Sequence, residues 1–247
     1  MSDKPFLQFA DARLLTHARS RRDILKLMAA GGALVLLPTA LASCGRDDDP
    51  ILTAPGAGNP LTIDFARGET AVLQFAYALE QLEADFYTRV VNAFGSSNLT
   101  VSEKAVLQDI KYHEVIHREL FKAALGTSNG FTITTAYPTV SFSDRLSVLN
   151  AAKTFEDLGV AAYNGAAQYL TTADNLTLAG KIVSVEARHA SAIRDLLNPK
   201  SGDFAPSAFD DAFRPAKVAA AAQGFVVEKL TLASAPAAFV QGPNNNG

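Results

Sequence analysis

Four long helical segments, joined as two antiparallel hairpins by one long crossover, predict an all-α protein built as an antiparallel four-helix bundle, with the crossover between the second and third helices. Three observations carry that prediction. Apolar residues recur at helical spacing in four stretches between about Phe65 and Leu197. Start and stop signals stand at the ends of those stretches. The one long connection, "TSNGFTITTAYPTVSF", is rich in β-branched residues and contains Pro138, so it resists helix.

The chain has 247 residues, 48% of them hydrophobic, and a net charge of −3. It can bury a full core, and it lacks the basic excess of a nucleic-acid partner. Residues 1–44 read as a leader. "SRRDILK" at 20–26 places Arg21 and Arg22 before a mostly apolar run, Leu27 to Ala42, which is the layout of a twin-arginine export signal. "LASC" then ends at Cys44 and resembles a lipoprotein processing box, whose cysteine would carry the lipid. The expected location is therefore outside the cytoplasm, periplasmic or at the cell surface, with a membrane anchor through Cys44. A single membrane span is the alternative, but 16 residues interrupted by Gly31, Gly32 and Pro38 are short for a bilayer. Cys44 is the only cysteine, which excludes an intramolecular disulfide and a cysteine metal site. Residues 45–63, rich in Pro and Gly, read as a flexible tether.

The bundle is expected over 64–198. Its first helix runs from about Phe65 to Phe94 and stops at "GSSN". The second opens at "TVSE", where Thr100 and Glu103 form a capping box, and ends before Gly126. The third begins near Ser143 and Asp144 and reaches about Leu170; the fourth runs from about Leu176 to Leu197, before Pro199. Residues 199–247 form an extension with a short helix expected around 216–223.

Projected at 100° per residue, each helix turns a carboxylate towards the core. Glu114 and His117 fall within the stripe of Leu107, Ile110, Phe121 and Leu125. Glu186 and His189 fall within that of Ala179, Ile182, Ile193 and Leu197. Glu156 lies among Leu149, Ala152, Tyr163 and Leu170, and both Glu80 and Glu83 lie on or beside the stripe of Val72, Phe75, Leu79, Leu82 and Phe86. Buried carboxylates without partners cost several kcal/mol each. Lys111, Lys153 and Arg118 lie at the edges of their stripes and Arg188 far outside, so divalent metal ions are the expected compensation.

An internal repeat chooses between Glu80 and Glu83. "LEQLEADFY" at 79–87 aligns with "FEDLGVAAY" at 155–163, pairing Glu80 with Glu156 and Tyr87 with Tyr163, and setting Glu83 opposite Gly159. The halves then read Glu80, Glu114, His117 and Glu156, Glu186, His189. Glu80 is the expected ligand and Glu83 the alternative, being nearer the middle of its stripe. Tyr87 and Tyr163 share the faces of Glu80 and Glu156 and are expected to pack in the core with their hydroxyls on a ligand. His113 has Val185 as its counterpart and reads as a supporting or surface residue.

One glutamate on each of two helices and a Glu-x-x-His on each of the other two resembles the ferritin-like di-iron carboxylate proteins, which include bacterioferritins and rubrerythrins. The resemblance covers about 65–197, and "ALEQLEADFY" together with the exported context looks most like the ferritin-like group that includes desiccation-related proteins. It implies two divalent transition ions, iron favoured and manganese possible. It carries no rubredoxin-like cysteine module, and Met1 and Met28 both lie in the leader, so no haem is expected. Three functions follow. A di-iron centre would oxidise Fe(II) or reduce peroxide or dioxygen in stress protection. A manganese centre would disproportionate peroxide. A non-enzymatic reading makes the bundle a metal-stiffened envelope scaffold. Whether the site turns over is left open, as is a homodimer. Two core histidines bonded to neighbouring carboxylates, without metal, remain the plain alternative.

Overall fold

In the computed structural model, which describes residues 55–236, four long helices form the expected bundle: α1 (Glu69–Asn92), α2 (Val101–Asn129), α3 (Arg145–Ala166) and α4 (Ala173–Leu197). The expected export signal with Arg21 and Arg22, the expected lipidation at Cys44 and the part of the expected tether up to residue 54 lie outside the described residues. Among the described residues no helix is long and apolar enough to cross a membrane.

Local chemistry fixes the ends of the helices. Thr100 accepts from Glu103 N at 3.3 Å while the Glu103 carboxylate accepts from Thr100 N at 2.8 Å, so the capping box is closed in both directions. Asp144 caps α3 by accepting from Ser147 N at 2.7 Å. Helix α4 has no cap from its own Thr172. Glu69, at the start of α1, supplies one instead, accepting from Thr171 N, from Thr172 N at 2.5 Å and from Asn175 Nδ2 at 2.6 Å. The backbone of α2 leaves helical geometry at Gly126 (φ 61°) and then continues for one more turn.

Helix α1 packs chiefly on α2, and α3 on α4, as the two hairpins require. The extension after α4 holds a short helix, α5 (Pro215–Ala222), where one was expected. The tether reading needs a correction. Gly58–Asp64 forms a strand, β1, which pairs in parallel with β2 (Glu228–Ala233), Leu61 opposite Leu230 and Ile63 opposite Leu232. Alternation turns Leu61 and Ile63 to the same side, where they join the apolar cluster that includes Phe75, Leu79 and Leu82 of α1. The crossover is held there as well: Thr134 O accepts from Val227 N and Ala136 N donates to Phe225 O, both at 2.9 Å. Its Tyr137 enters an aromatic group with Phe86, Phe142, Phe155 and Phe225.

The core is divided along the bundle. One apolar cluster holds Leu82, Phe86, Leu107, Ile110, Phe155 and Ile193; the other holds Leu73, Tyr77, Phe121, Leu125, Tyr163 and Ile182. In α2 and α4 the inward residues lie between the two in sequence, Glu114 and His117 between Ile110 and Phe121, and Glu186 and His189 between Ile182 and Ile193.

Candidate metal centre

All six candidates come together inside the bundle. Glu114, Glu156 and Glu186 are fully buried, Glu80 is 1% exposed, and His117 and His189 are buried at 8% and 5%. Each Glu-x-x-His pair shares one helical face because three residues span nearly one turn.

The ligand-type atoms gather into two groups. In one, Glu80, Glu114, His117 and Glu186 each place an atom within 4.8 Å of the others; in the second, Glu114, Glu156, Glu186 and His189 do so. Glu114 and Glu186 belong to both. His117 Nδ1 lies 2.9 Å from Glu186 Oε1, 3.5 Å from Glu114 Oε2 and 3.6 Å from Glu80 Oε2. His189 Nδ1 lies 2.9 Å from Glu114 Oε1, 3.3 Å from Glu156 Oε2 and 3.4 Å from Glu186 Oε2. Each shared carboxylate therefore turns one oxygen to either histidine.

Closeness here is not hydrogen bonding. Oε2 of Glu80 and of Glu156, both oxygens of Glu114 and Glu186, and Nδ1 of both histidines are buried without an aligned hydrogen-bond partner. Buried polar atoms are ordinarily paired, and these instead gather within 4.8 Å of one another in each group. Ligands at about 2.0–2.2 Å on opposite sides of an ion are separated by about 4 Å, so the spread of each group suits a cation in its middle.

The remaining oxygens are held from behind. Tyr163 donates its hydroxyl proton to Glu80 Oε1, and Tyr87 donates to Glu156 Oε1. The tyrosines cross over: each follows the glutamate of its own helix by seven residues and bonds the glutamate of the other.

Glu83 is buried at 4% exposure but lies outside both groups. Its carboxylate faces α3 at Gly159, where a Cβ would come within 3.2 Å of Glu83 Oε1. The residue that the repeat sets opposite Glu83 in sequence thus lies against it in space.

Electrostatics follow from burial. Desolvation pushes the Glu80 carboxyl up to about 8, more than the adjacent His117 lowers it. Desolvation raises Glu156 well above the usual carboxylate range, and Glu83 likewise, with help from Glu114, Glu186 and the other carboxylates. Burial would raise Glu186 too, yet His117 and His189 hold it down to about 2. Both histidines resist charging through burial, but the carboxylates around them win: His117 is raised and His189 reaches about 12. Protons carry the compensation that divalent ions could take over.

Lysine and arginine do not compete for that role. Arg118 pairs with Glu119, Lys153 with Asp203, and Arg188 bonds Ser184. The ion-pair contacts of Glu80, Glu114, Glu156 and Glu186 are with His117 and His189.

The sequence left His113 as either a supporting or a surface residue, and the structure puts it against the cluster. Its Nδ1 lies 2.9 Å from Nε2 of His189, the ring nitrogen turned away from the carboxylates. The only signal for it was its place one helical turn before His117.

No curated protein matches the chain. The family model of the ferritin-like domain matches residues 68–199, from the residue before α1 to just beyond α4 and over more than half of the chain. With the helix order and the buried carboxylate and imidazole groups, this match shows what the chain is: it belongs to the ferritin-like domain family.

Proposed function

We propose that the protein binds two divalent transition ions per chain, iron in preference to manganese, and that the pair oxidises Fe(II) with peroxide or dioxygen in stress protection. One observation carries the reading: two groups of buried, unpaired carboxylate and imidazole atoms overlap in Glu114 and Glu186. Glu80 and His117 would hold one ion and Glu156 and His189 the other, with Glu114 and Glu186 available to both. When bound, such a pair supplies two electrons to an oxidant, which one ion cannot do through a simple Fe(II)/Fe(III) change.

The chain's own residues set the conditions. Tyr87 and Tyr163 fix the rotamers of Glu156 and Glu80 through their hydroxyls, so each presents Oε2 to its group. Leu82, Ile110, Phe155 and Ile193 on one side and Phe121, Tyr163 and Ile182 on the other exclude water. Burial raises the proton affinity of the Glu80 and Glu156 carboxyls, which would give up protons to ions held there. Carboxylate oxygens with imidazole nitrogens suit both iron and manganese, and of the two Fe(II) is the more strongly bound by such donors.

Export by the twin-arginine route and anchoring through Cys44 belong to the same proposal. "SRRDILK" and "LASC" support them, and mass determination of Cys44-containing peptides from the membrane fraction tests them.

Elemental analysis after anaerobic Fe(II) loading is expected to find about two ions per chain. Adding peroxide is expected to produce the near-ultraviolet absorption of a ferric pair, and Glu156→Ala to abolish it. A chain that stays metal-free would return the site to two core histidines. Metal that binds and raises the melting temperature, without oxidation by either oxidant, would instead favour the scaffold reading.

A further inference from the structure

We infer that His113 is a positioning residue for His189, and that it makes the two ion positions of the centre unequal, the one at His189 being held the tighter. The inference rests on the two-ion reading above and adds a difference between its halves that the repeat alone does not contain.

His189 reaches the carboxylates with Nδ1 and His113 with Nε2. An imidazole gives one lone pair to a cation, and the tautomer that does so is set by the hydrogen bond of the other nitrogen. With Nδ1 facing Glu114, Glu156 and Glu186, the proton of neutral His189 must sit on Nε2. From there it is donated across 2.9 Å to His113 Nδ1. His113 therefore acts as acceptor, with its own proton on the nitrogen away from His189.

Geometry adds orientation. The two rings lie within 6° of parallel, with centroids 5.1 Å apart. His113 stands on α2, one turn before His117, while His189 stands on α4. The contact thus ties the two Glu-x-x-His helices together at the level of the site. Rotation of the His189 ring would break it.

The other half has no such device. The repeat carries Glu114 onto Glu186 and His117 onto His189, a shift of 72 residues, and the same shift carries His113 onto Val185. The place behind His117 that corresponds to His113 therefore belongs to a side chain without a polar atom. Tyr87 and Tyr163 serve the two halves alike and cannot produce the inequality. A partner of this kind typically contributes 10–100-fold in metal affinity.

Cobalt(II) titration of the full chain, followed by calorimetry and by visible absorption, separates the two positions. The parent chain is expected to bind two ions in unequal steps. His113→Phe keeps a flat ring but removes the acceptor, and is expected to weaken the tighter step about 10–100-fold and alter its cobalt spectrum, leaving the weaker step in place. His113→Asn, whose amide oxygen can accept from Nε2, is expected to restore much of the tighter step. Unchanged steps in His113→Phe would overturn the inference. So would an equal loss at both steps, or an Asn variant no better than Phe, since either would make His113 a general packing residue. Parent protein that takes up no cobalt would instead defeat the two-ion reading on which the inference rests.

Discussion

At the scale of single residues, the six inward side chains were legible because their chemistry contradicts their surroundings. A glutamate inside an apolar helical stripe has few explanations, and four of them on four helices have fewer. What no spacing could disclose was the division of labour. That Glu114 and Glu186 belong to both groups, and that each tyrosine bonds the opposite half's glutamate, depend on how α1 meets α3 and α2 meets α4. The crossed tyrosines give a selective test. Tyr87→Phe strips the partner from Glu156 Oε1, and Tyr163→Phe strips it from Glu80 Oε1. Each is expected to cost about 1–3 kcal/mol of stability for a buried acceptor left bare. Each is also expected to weaken one ion by about 10–100-fold: the His189 ion in the first variant and the His117 ion in the second. Calorimetric titration reads this directly, and equal weakening of both ions by both variants would show that the tyrosines only fill space. The histidines set the scale. His117→Ala and His189→Ala are expected to lower metal content, whereas His113→Ala keeps two ions at saturating metal while its affinity falls.

At the scale of elements, the helices were readable to within a few residues wherever caps announce them, as Thr100 and Asp144 do. The strands were not. β1 is a short stretch after Gly and Pro whose partner, β2, lies some 170 residues away, and non-local pairing leaves little local trace. Only the alternation of Leu61 with Ile63, and of Leu230 with Leu232, hinted at it. The start of α4 was misplaced for a similar reason: its cap is Glu69, from another helix. The extension shows a further tertiary dependence. Phe213 N donates to Ala161 O of α3 at 2.9 Å, and a Cβ on Gly165 would collide with the Phe213 carbonyl. In an open helix Gly→Ala stabilises by about 1 kcal/mol. Gly165→Ala is expected to reverse that sign, because the extension must shift away from α3, at a cost of about 1–3 kcal/mol for overpacking. Denaturant midpoints measure it. A stabilised Gly165→Ala would mean that the segment around Phe213 yields freely.

At the scale of the whole molecule, the bundle encloses a charged layer between two apolar clusters, and this layer works against folding unless something binds there. Two imidazoles stand against five buried carboxyls if Glu83 is included, and protons make up the difference only by holding Glu80, Glu83 and Glu156 far from their ordinary ranges. Ions that bind the folded chain and not the unfolded one stabilise by mass action, about 4 kcal/mol per site at a thousandfold excess over the dissociation constant. For a domain of this size 1 kcal/mol moves the melting temperature by about 2–4 °C. Two sites are therefore expected to raise it by roughly 15–30 °C in calorimetry, whichever metal is used and whether or not it turns over. A companion variant separates a binding site from a merely polar core. With Glu80, Glu83, Glu114, Glu156 and Glu186 changed to Leu, His117 and His189 to Phe, and Tyr87 and Tyr163 to Phe so that no hydroxyl is stranded, the layer becomes apolar. Replacement of a buried ionic group by apolar residues of similar volume is commonly neutral or stabilising by about 1–4 kcal/mol. The variant is expected to melt at or above the metal-free parent and to ignore added metal. Had the layer been built as a self-sufficient network of histidines and carboxylates, the metal-free parent would melt well above the variant and metal would add little, and that pair of results would remove the physical ground for a metal centre.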